Sequence, residues 1–425
     1  MTSADIERQP ERGAAAHPGQ SYDVGGVRLP RPFKIRRLGH FGYNCADLAG
    51  MLDFYIGGLG LIVSDESGRF AARLPEDVRS GLAPGERRLY FTRFGSDHHQ
   101  LVFMSRKLWE AAAQPPASTN QITWQVGSLA EVVDGSAWIW GRGERLMRSG
   151  RDMPGSNWHT YLFDPEGHIN ELFYGMEQIG WDGLSKPRDM WSGVQHERPE
   201  LPQASESNEI EAARQAGVDL NAGHRAATAG ADGGAGTAGT PAYTVDGIVM
   251  ARPFKVTGIG PVSLFVDDLD RTRSFYTDVL GFGVRERVRW GEHQGVLLYS
   301  GTDHHTLALY TAGLRSALGM PGRLDSMALG LRLANYRQLR EAVAFMTDRG
   351  AEEVSVPAEL VPGFDYVAHL RDPDGNLVQL YYYQRQCAPA GPGPRTVSAP
   401  AREWPELIDA PEDVYGGQQF LGPWQ

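Results

Sequence analysis

The chain contains one sequence unit twice, and this duplication limits the folds that it can adopt. The sequence RPFKIRRLGH at 31–40 returns 221 positions later as RPFKVTGIGP at 252–261. The motif DHH at 97–99 returns at 303–305, and the turn sequence DPEG returns as DPDG. Two similar structural units are therefore fused in one polypeptide.

Only the first unit keeps residues that can bind a metal ion. At the matched positions His40 is replaced by Pro261, and Glu171 is replaced by Gln379. An imidazole and a carboxylate can bind a divalent cation, whereas proline cannot and a neutral amide is a poorer ligand. The duplication therefore predicts a working site in the first unit and a scaffolding role for the second.

The composition predicts a globular protein and argues against several classes of partner. The 425 residues are 41% hydrophobic, which is enough for substantial cores. The net charge of −11 argues against nucleic acid, which would require a basic face. Apolar runs such as VSLFV at 262–266 are too short for membrane spans, and the polar start lacks the apolar core of a secretory signal. With only Cys45 and Cys387, the chain suggests no disulfide framework, and a cytoplasmic location is expected.

Shifts in composition divide the chain into five segments. We predict a polar N-terminal segment at 1–34, a first domain at 35–177, a flexible linker at 178–255, a second domain at 256–386 and a C-terminal tail at 387–425. The linker prediction rests on a run of Ala, Gly and Thr at 226–242 that has no hydrophobic periodicity. The aromatic residues of the tail are expected to pack on the same chain, and the alternative is a neighbouring subunit of a homo-oligomer.

Within each domain, apolar segments and turns recur in one order. The segment IRRLGHFGYNC predicts a strand, and Leu48, Met51 and Tyr55 after it have helical spacing. Three strands follow, and the same order then recurs as far as INELFYG. The DPEG turn separates the last two strands, with its glycine supplying a positive φ. The pattern predicts an α+β fold built from four βαβββ units.

Three segments in this order, LGHFGYNCADLAGMLDFY, SDHHQLVF and YLFDPEGHINELFYG, resemble the vicinal oxygen chelate superfamily. That superfamily includes glyoxalases, bleomycin-resistance proteins and type I extradiol ring-cleaving dioxygenases. The resemblance covers both domains. It implies that each pair of βαβββ units curls into an open eight-stranded barrel, so that the chain would contain two barrels, as two-domain extradiol dioxygenases do.

The resemblance also implies a metal site in the first barrel. The family holds iron with two histidines and one glutamate, and His40 and Glu171 match the first histidine and the glutamate. The position that matches the second histidine is Gln121, whose carbonyl oxygen is a weaker ligand than imidazole. The three matching positions of the second domain are Pro261, Ser326 and Gln379. Fe(II) is the expected metal, with Mn(II), Zn(II) and Ni(II) as alternatives.

Further site residues follow from the same resemblance. His99 matches the proton-handling histidine of the family, and Tyr161 has the spacing of its active-site tyrosine. The family's Gly-Arg-His-Gly-Pro-Gly loop reads GRDMPGSN here, so that Asp152 replaces a histidine. We consider Asp152 a candidate catalytic residue, and His98 and His159 candidates for substrate contact.

Three functions remain open at the level of sequence. The leading hypothesis is an extradiol dioxygenase that uses O2 to open a catechol-type aromatic ring at Fe(II). The second is a non-redox metal enzyme such as a glyoxalase-like lyase, isomerase or epimerase. Gln121 and Asp152 favour this second hypothesis, because a carboxylate base suits proton abstraction next to a carbonyl group. The third is a small-molecule-binding protein without turnover, since the second domain has already lost its ligands.

Overall fold

The computed structural model describes residues 20–112, 114, 116–151, 156–179, 206–218, 242–245, 247–387 and 403–408. None of the helices within these ranges is long and apolar enough to cross a bilayer.

The first half of the chain forms a hairpin followed by an eight-stranded sheet. The hairpin strands are β1 (Tyr22–Val24) and β2 (Val27–Leu29). The sheet strands are β3 (Arg37–Cys45), β4 (Ile62–Ser67), β5 (Leu89–Arg93), β6 (Leu101–Ser105), β7 (Thr119–Gln125), β8 (Leu146–Gly150), β9 (Ser156–Phe163) and β10 (Ile169–Met176). The helices are α1 (Leu48–Leu52), α2 (Arg69–Ala72), α3 (Glu76–Ser80), α4 (Arg106–Ala111) and α5 (Leu129–Gly141). The strands lie in the order β4-β5-β6-β3-β7-β10-β9-β8.

The second half repeats this arrangement after helix α6 (Glu206–Gln215). Its hairpin strands are β11 (Tyr243–Val245) and β12 (Ile248–Met250). Its sheet strands are β13 (Val256–Val266), β14 (Gly283–Trp290), β15 (His293–Tyr299), β16 (Leu307–Thr311), β17 (Ser326–Leu333), β18 (Glu352–Glu353), β19 (Val367–Arg371) and β20 (Leu377–Tyr381). Its helices are α7 (Leu269–Ser274), α8 (Gly313–Ala317) and α9 (Tyr336–Asp348). The strand order β14-β15-β16-β13-β17-β20-β19-β18 matches that of the first sheet, and the predicted α+β fold with two eight-stranded sheets is confirmed.

Local sequence explains where the first repeat turns from strand to helix. Asp47 follows the last residues of β3, and its side chain accepts a hydrogen bond from the backbone N–H of Gly50 at the start of α1. This is the capping that a helix N-terminus requires. Met51 and Tyr55, which have helical spacing, are fully buried on the inner face. Gly167 in the DPEG turn has a φ of +92°, as the turn sequence predicts.

The two halves share one hydrophobic core. Trp124 of β7 is fully buried and meets the ring of Phe282 from the second half edge to face, with 4.9 Å between ring centroids. Paired polar contacts cross the same interface. The Tyr55 hydroxyl donates to Asp372, and the Tyr276 hydroxyl, at the matched position, donates to Asp164. Because the contacts are reciprocal, the two halves are related by an approximate two-fold arrangement.

The arginine of the second RPFK motif forms hydrogen bonds across this interface. The guanidinium group of Arg252 donates to the backbone carbonyls of Ile56, Gly57 and Gly58, each at 2.7 Å. These carbonyls belong to the last three residues of a π-helical turn, Asp53–Gly58, that follows α1. Carbonyl groups at the end of a helix lack partners within the helix. Arg252 of the second motif therefore caps the C-terminal end of a helix that belongs to the first repeat.

The repeated unit is longer than the two domains predicted from composition. The hairpin of β11 and β12 lies 221 positions after that of β1 and β2, and both precede an RPFK motif. The span 178–255, predicted as a flexible linker, therefore includes strands as well as helix α6. We propose that the second unit begins at Tyr243 and that the first begins at Tyr22.

Replacing Asp374 with alanine should destabilise the interface between the halves. Its carboxylate accepts hydrogen bonds from the backbone N–H groups of Ala46 and Asp47, at 2.7 and 2.8 Å. Leaving such partly buried donors unpaired costs about 1–3 kcal/mol. Urea unfolding should show this loss for Asp374→Ala. Asp270→Ala, which removes an exposed carboxylate and its two ion pairs with Arg273 and Arg287, should shift the free energy of unfolding by less than about 0.5 kcal/mol. Equal stability of the two variants would contradict the assignment.

Candidate metal centre

His40 and Glu171 meet in the interior of the first sheet. Strand β7 lies between the strands that carry them, β3 and β10, and Thr123 of β7 is in register with both residues. The Nε2 atom of His40 lies 3.2 Å from the Oε2 atom of Glu171. Both side chains are 1% exposed, so this contact is shielded from solvent.

The environment keeps Glu171 ionised. Burial alone would raise the pKa of its carboxyl group, but the adjacent His40 and its hydrogen bond outweigh burial and lower the pKa. The hydroxyl of Thr123 also donates to Oε2, at 3.0 Å. Among the residues that the structure describes, the buried Oε1 atom of Glu171 and the buried Nδ1 atom of His40 find no hydrogen-bond partner. A buried acceptor without a partner is costly, and a cation bound to the carboxylate would satisfy it.

The third residue of the candidate centre is a glutamine and not a histidine. Within the described residues, no three His, Cys, Asp or Glu side chains are grouped as a complete metal site. Gln121 lies two residues before Thr123, on the same face of β7, and lines the cavity together with His40 and Glu171. Its amide oxygen can complete a set of nitrogen and oxygen ligands for a divalent cation. Thr123 was missed by the sequence interpretation, because only the pairing register reveals that it lies between His40 and Glu171.

His99 lies beside this pair. The ring of His99 is 4.4 Å from that of His40, measured between centroids, and its side chain is buried on the cavity wall. Burial lowers the pKa of His99 well below its usual value, and the neighbouring His40 and His98 lower it further. His99 is therefore a neutral imidazole that can accept a proton.

His98 lies behind His99 and does not line the cavity. The Nδ1 atoms of the two rings are 3.0 Å apart, so one donates a hydrogen bond to the other. The Nε2 atom of His98 points toward the buried carboxylate of Asp65, at 4.0 Å. The prediction that His98 contacts substrate does not agree with this position. His304 and His305 form the same 3.0 Å contact in the second repeat, so the pairing belongs to the DHH motif itself.

Tyr161 and His159 lie on β9, the strand next to Glu171. Tyr161 is in register with Glu171 and lines the cavity, where its ring packs against the guanidinium group of Arg148 at 4.5 Å. His159 is fully buried, and its Nδ1 atom lies 3.7 Å from the Oε1 atom of Glu171. Since His159 is not part of the cavity wall, its position favours orienting Glu171 over direct contact with substrate. Asp152, the remaining candidate, lies outside the described residues.

The cavity has a polar end and an apolar end. Its empty volume is about 540 Å³, and seven of the eight strands of the first sheet contribute side chains to it. The polar end is formed by His40, His99, Gln121 and Glu171, and Asn120 and Arg148 add further polar side chains to the cavity wall. The apolar wall consists of Phe70, Leu89, Phe91, Val102, Trp109, Met147, Tyr161 and Ile169. This combination of a wide apolar lining with a few convergent polar groups is typical of small-molecule sites.

The second barrel has lost this centre. The register places Gly330 opposite Gln379, where the first barrel has Thr123 opposite Glu171. A Cβ atom at Gly330 would lie 2.2 Å from the carbonyl oxygen of Gly260, so backbone occupies this space. Gln379 instead forms a 3.1 Å hydrogen bond with His369.

One assignment from the sequence is wrong in this barrel. Val262 of the second repeat matches Phe41 of the first. Val262 pairs with Leu329, and Phe41 pairs with Ile122, so Leu329 matches Ile122. The residue of β17 that matches Gln121 is therefore Ala328 and not Ser326. The strand contains no turn that would have fixed the alignment, so the error of two residues could not be seen in the sequence.

A sequence model of the Glyoxalase/Bleomycin resistance protein/Dioxygenase superfamily matches residues 37–172 and 258–380. The chain belongs to this superfamily. Both matched ranges coincide with the two eight-stranded sheets, and the resemblance inferred from the motifs is confirmed.

Two curated relatives are dioxygenases by name. The 2,2',3-trihydroxybiphenyl dioxygenase of Sphingomonas paucimobilis is 42% identical over 126 residues, which are 29% of this chain and 41% of that protein. Metapyrocatechase 2 of Cupriavidus necator is 30% identical over 176 residues, which are 40% of this chain and 46% of that protein. The chain thus spans less than half the length of each of these relatives. A crystal structure of catechol 2,3-dioxygenase has a TM-score of 0.53 and 14% identity over 90% of this chain and 99% of that one, which shows the shared fold.

Proposed function

We propose that the chain is a metal-dependent extradiol dioxygenase that acts on a catechol-type aromatic compound in the first barrel. The observation that carries this proposal is the buried contact between His40 and Glu171 at the polar end of a largely apolar cavity. The names of the two partial relatives agree with it.

His40, Glu171 and Gln121 are the residues that would hold the metal. The buried Nδ1 atom of His40 and the buried Oε1 atom of Glu171 make no hydrogen bond to the described residues. Together with the nitrogen and oxygen donor set, they fit a divalent first-row metal. When bound, Fe(II) would supply Lewis acidity toward the diol and redox activity toward O2. Mn(II) is the closest alternative for this chemistry.

The protein's own residues have three tasks in this proposal. His99 accepts a phenolic proton from the diol, because its imidazole is neutral and lies beside the ligand His40. Tyr161 faces the cavity next to Glu171 and can hydrogen-bond a substrate oxygen. Phe70 and Trp109 line the other end of the cavity, and their apolar surface excludes water from the reacting groups.

The test of this function is oxygen consumption. Protein loaded with Fe(II) in the absence of oxygen would be mixed with catechol, methylcatechols and a phenyl-substituted catechol, and oxygen would then be admitted. We expect one O2 consumed for each diol, together with a coloured ring-fission product. Protein that carries bound metal but consumes no oxygen with any diol in the panel would refute the proposal.

A non-redox metal enzyme of the same superfamily is the second candidate, and Gln121 is the observation that favours it. An amide oxygen on the cavity wall in place of an imidazole suits metals that work as Lewis acids only. Zn(II) or Ni(II) protein that isomerises or cleaves an α-hydroxycarbonyl compound without oxygen would favour this candidate. Turnover that requires both Fe(II) and O2 would exclude it.

A further inference from the structure

The first repeat contains a segment that the second lacks. The offset between the repeats is 221 at His40 and Pro261 but 206 at the DHH motifs, a difference of 15 residues. The additional residues lie between β4 and β5, where residues 68–88 hold α2, α3 and a short helical turn at Gly85–Arg87. In the second repeat only two residues join β14 to β15. We call residues 69–88 the cap segment.

The cap segment folds onto the cavity of the first barrel. Phe70 is half-buried and forms part of the cavity wall. Ala71 and Leu82 are buried in the same apolar cluster as Trp109 of α4. The Glu86 carboxylate accepts a hydrogen bond from the Lys107 ammonium group at 2.8 Å, which ties the segment to α4. The cap segment is therefore packed against the barrel and supplies Phe70 to the cavity wall.

The second barrel has no counterpart of the cap segment. By strand register, the residues of that barrel that match Phe91, Val102 and Ile169 of the first cavity are Leu297, Ala308 and Leu377. These three side chains are buried in one apolar cluster, into which Leu360 also packs. The cap segment thus occurs only in the barrel that retains His40 and Glu171, and its Phe70 lines the cavity there.

We propose that the cap segment is the specificity-determining element of the first barrel, and that it selects catechols with a bulky apolar substituent on the ring. The diol of such a compound occupies the polar end, and its substituent packs against Phe70, Leu89 and Trp109. Unsubstituted catechol has no substituent to make apolar contacts with these three side chains. A difference of one or a few carbon atoms in an apolar pocket typically changes kcat/KM by 10- to 200-fold, so we expect discrimination of about that size. This inference rests on the proposed function for its substrate class.

The test compares Phe70→Ala with Val78→Ala in full-length Fe(II) protein. Val78 lies on α3 of the same segment, is 39% exposed and does not contribute to the cavity wall. We expect Phe70→Ala to lower kcat/KM for 3-phenylcatechol by about tenfold or more, with the value for catechol changed by less than about threefold. Val78→Ala should leave both values unchanged. Equal effects of Phe70→Ala on both substrates, or no effect on either, would overturn the proposal.

A binding measurement separates this inference from the proposed function. Calorimetric titration of the metal-loaded protein without oxygen gives the Kd for 3-phenylcatechol and for catechol independently of turnover. If no ring cleavage occurs but 3-phenylcatechol binds at least tenfold more tightly than catechol, and Phe70→Ala removes this preference, the dioxygenase proposal fails while the cap inference stands. Equal Kd values for both diols in the unaltered protein would overturn the inference. If Phe70→Ala does not fold, Phe70→Leu replaces it. Because leucine keeps an apolar side chain but loses the ring, this variant should lower the preference by a smaller factor than Phe70→Ala, and a preference equal to that of the unaltered protein would overturn the inference.

Discussion

Replacing Glu171 with glutamine should remove the bound metal while leaving the fold intact. The substitution keeps the shape of the side chain but removes the negative charge that faces His40 at 3.2 Å. Outer partners of metal ligands are typically worth 10- to 100-fold in affinity, so loss of a ligand charge should weaken metal binding by more than about 100-fold. The measurement is metal content after loading with Fe(II) and removal of excess metal without oxygen.

The second repeat provides the matched control for this variant. Gln379 stands where the first barrel has Glu171, and its hydrogen bond with His369 shows that the fold accommodates an amide there. Gln379→Ala should therefore leave metal content and oxygen consumption unchanged. If Glu171→Gln kept its metal, or if Gln379→Ala lost it, the assignment of the centre to the first barrel would be wrong.

Replacing His99 with glutamine should abolish most turnover without releasing the metal. In the proposed reaction His99 receives a proton from the diol, and loss of a positioned acid–base group typically costs 100- to 10,000-fold in rate. Since the burial-lowered pKa keeps this imidazole neutral, it is available as a base at neutral pH. We expect kcat to fall by about 100-fold or more while the metal content stays at the level of the unaltered protein.

His305→Gln is the control for that prediction. His305 is the matched residue of the second repeat, where its Nδ1 atom contacts His304 as that of His99 contacts His98. If the DHH motif has only a structural role, the two variants should lose stability and activity to similar extents. A selective loss of kcat in His99→Gln supports catalysis, whereas full activity of His99→Gln would contradict the role proposed for it.

The fold was predictable because each strand carries its own local signal. Alternating apolar residues, the turn sequence DPEG and the helical spacing of Leu48, Met51 and Tyr55 indicated the elements that the structure contains. The cap segment was missed because its helices α2 and α3 are only four and five residues long. Such short helices have no periodic pattern, and their packing on the barrel depends on tertiary contacts.

The site was predictable only in part, because its residues come from distant strands. The duplication singled out His40 and Glu171 by comparison with Pro261 and Gln379, and the structure brings the first two together. Thr123 could not be found in this way, since its position depends on the register of β7 with two neighbours. His98 was expected to contact substrate, whereas its ring hydrogen-bonds to His99 and is not part of the cavity wall.

The location of the metal tests the central claim most directly. Crystals of the protein loaded with Fe(II) without oxygen would be measured at wavelengths on both sides of the iron absorption edge. We expect one anomalous peak per chain, within ligand distance of His40 and Glu171, and none beside His369 and Gln379. A peak in the second barrel, or fully loaded protein with no peak between His40 and Glu171, would contradict it.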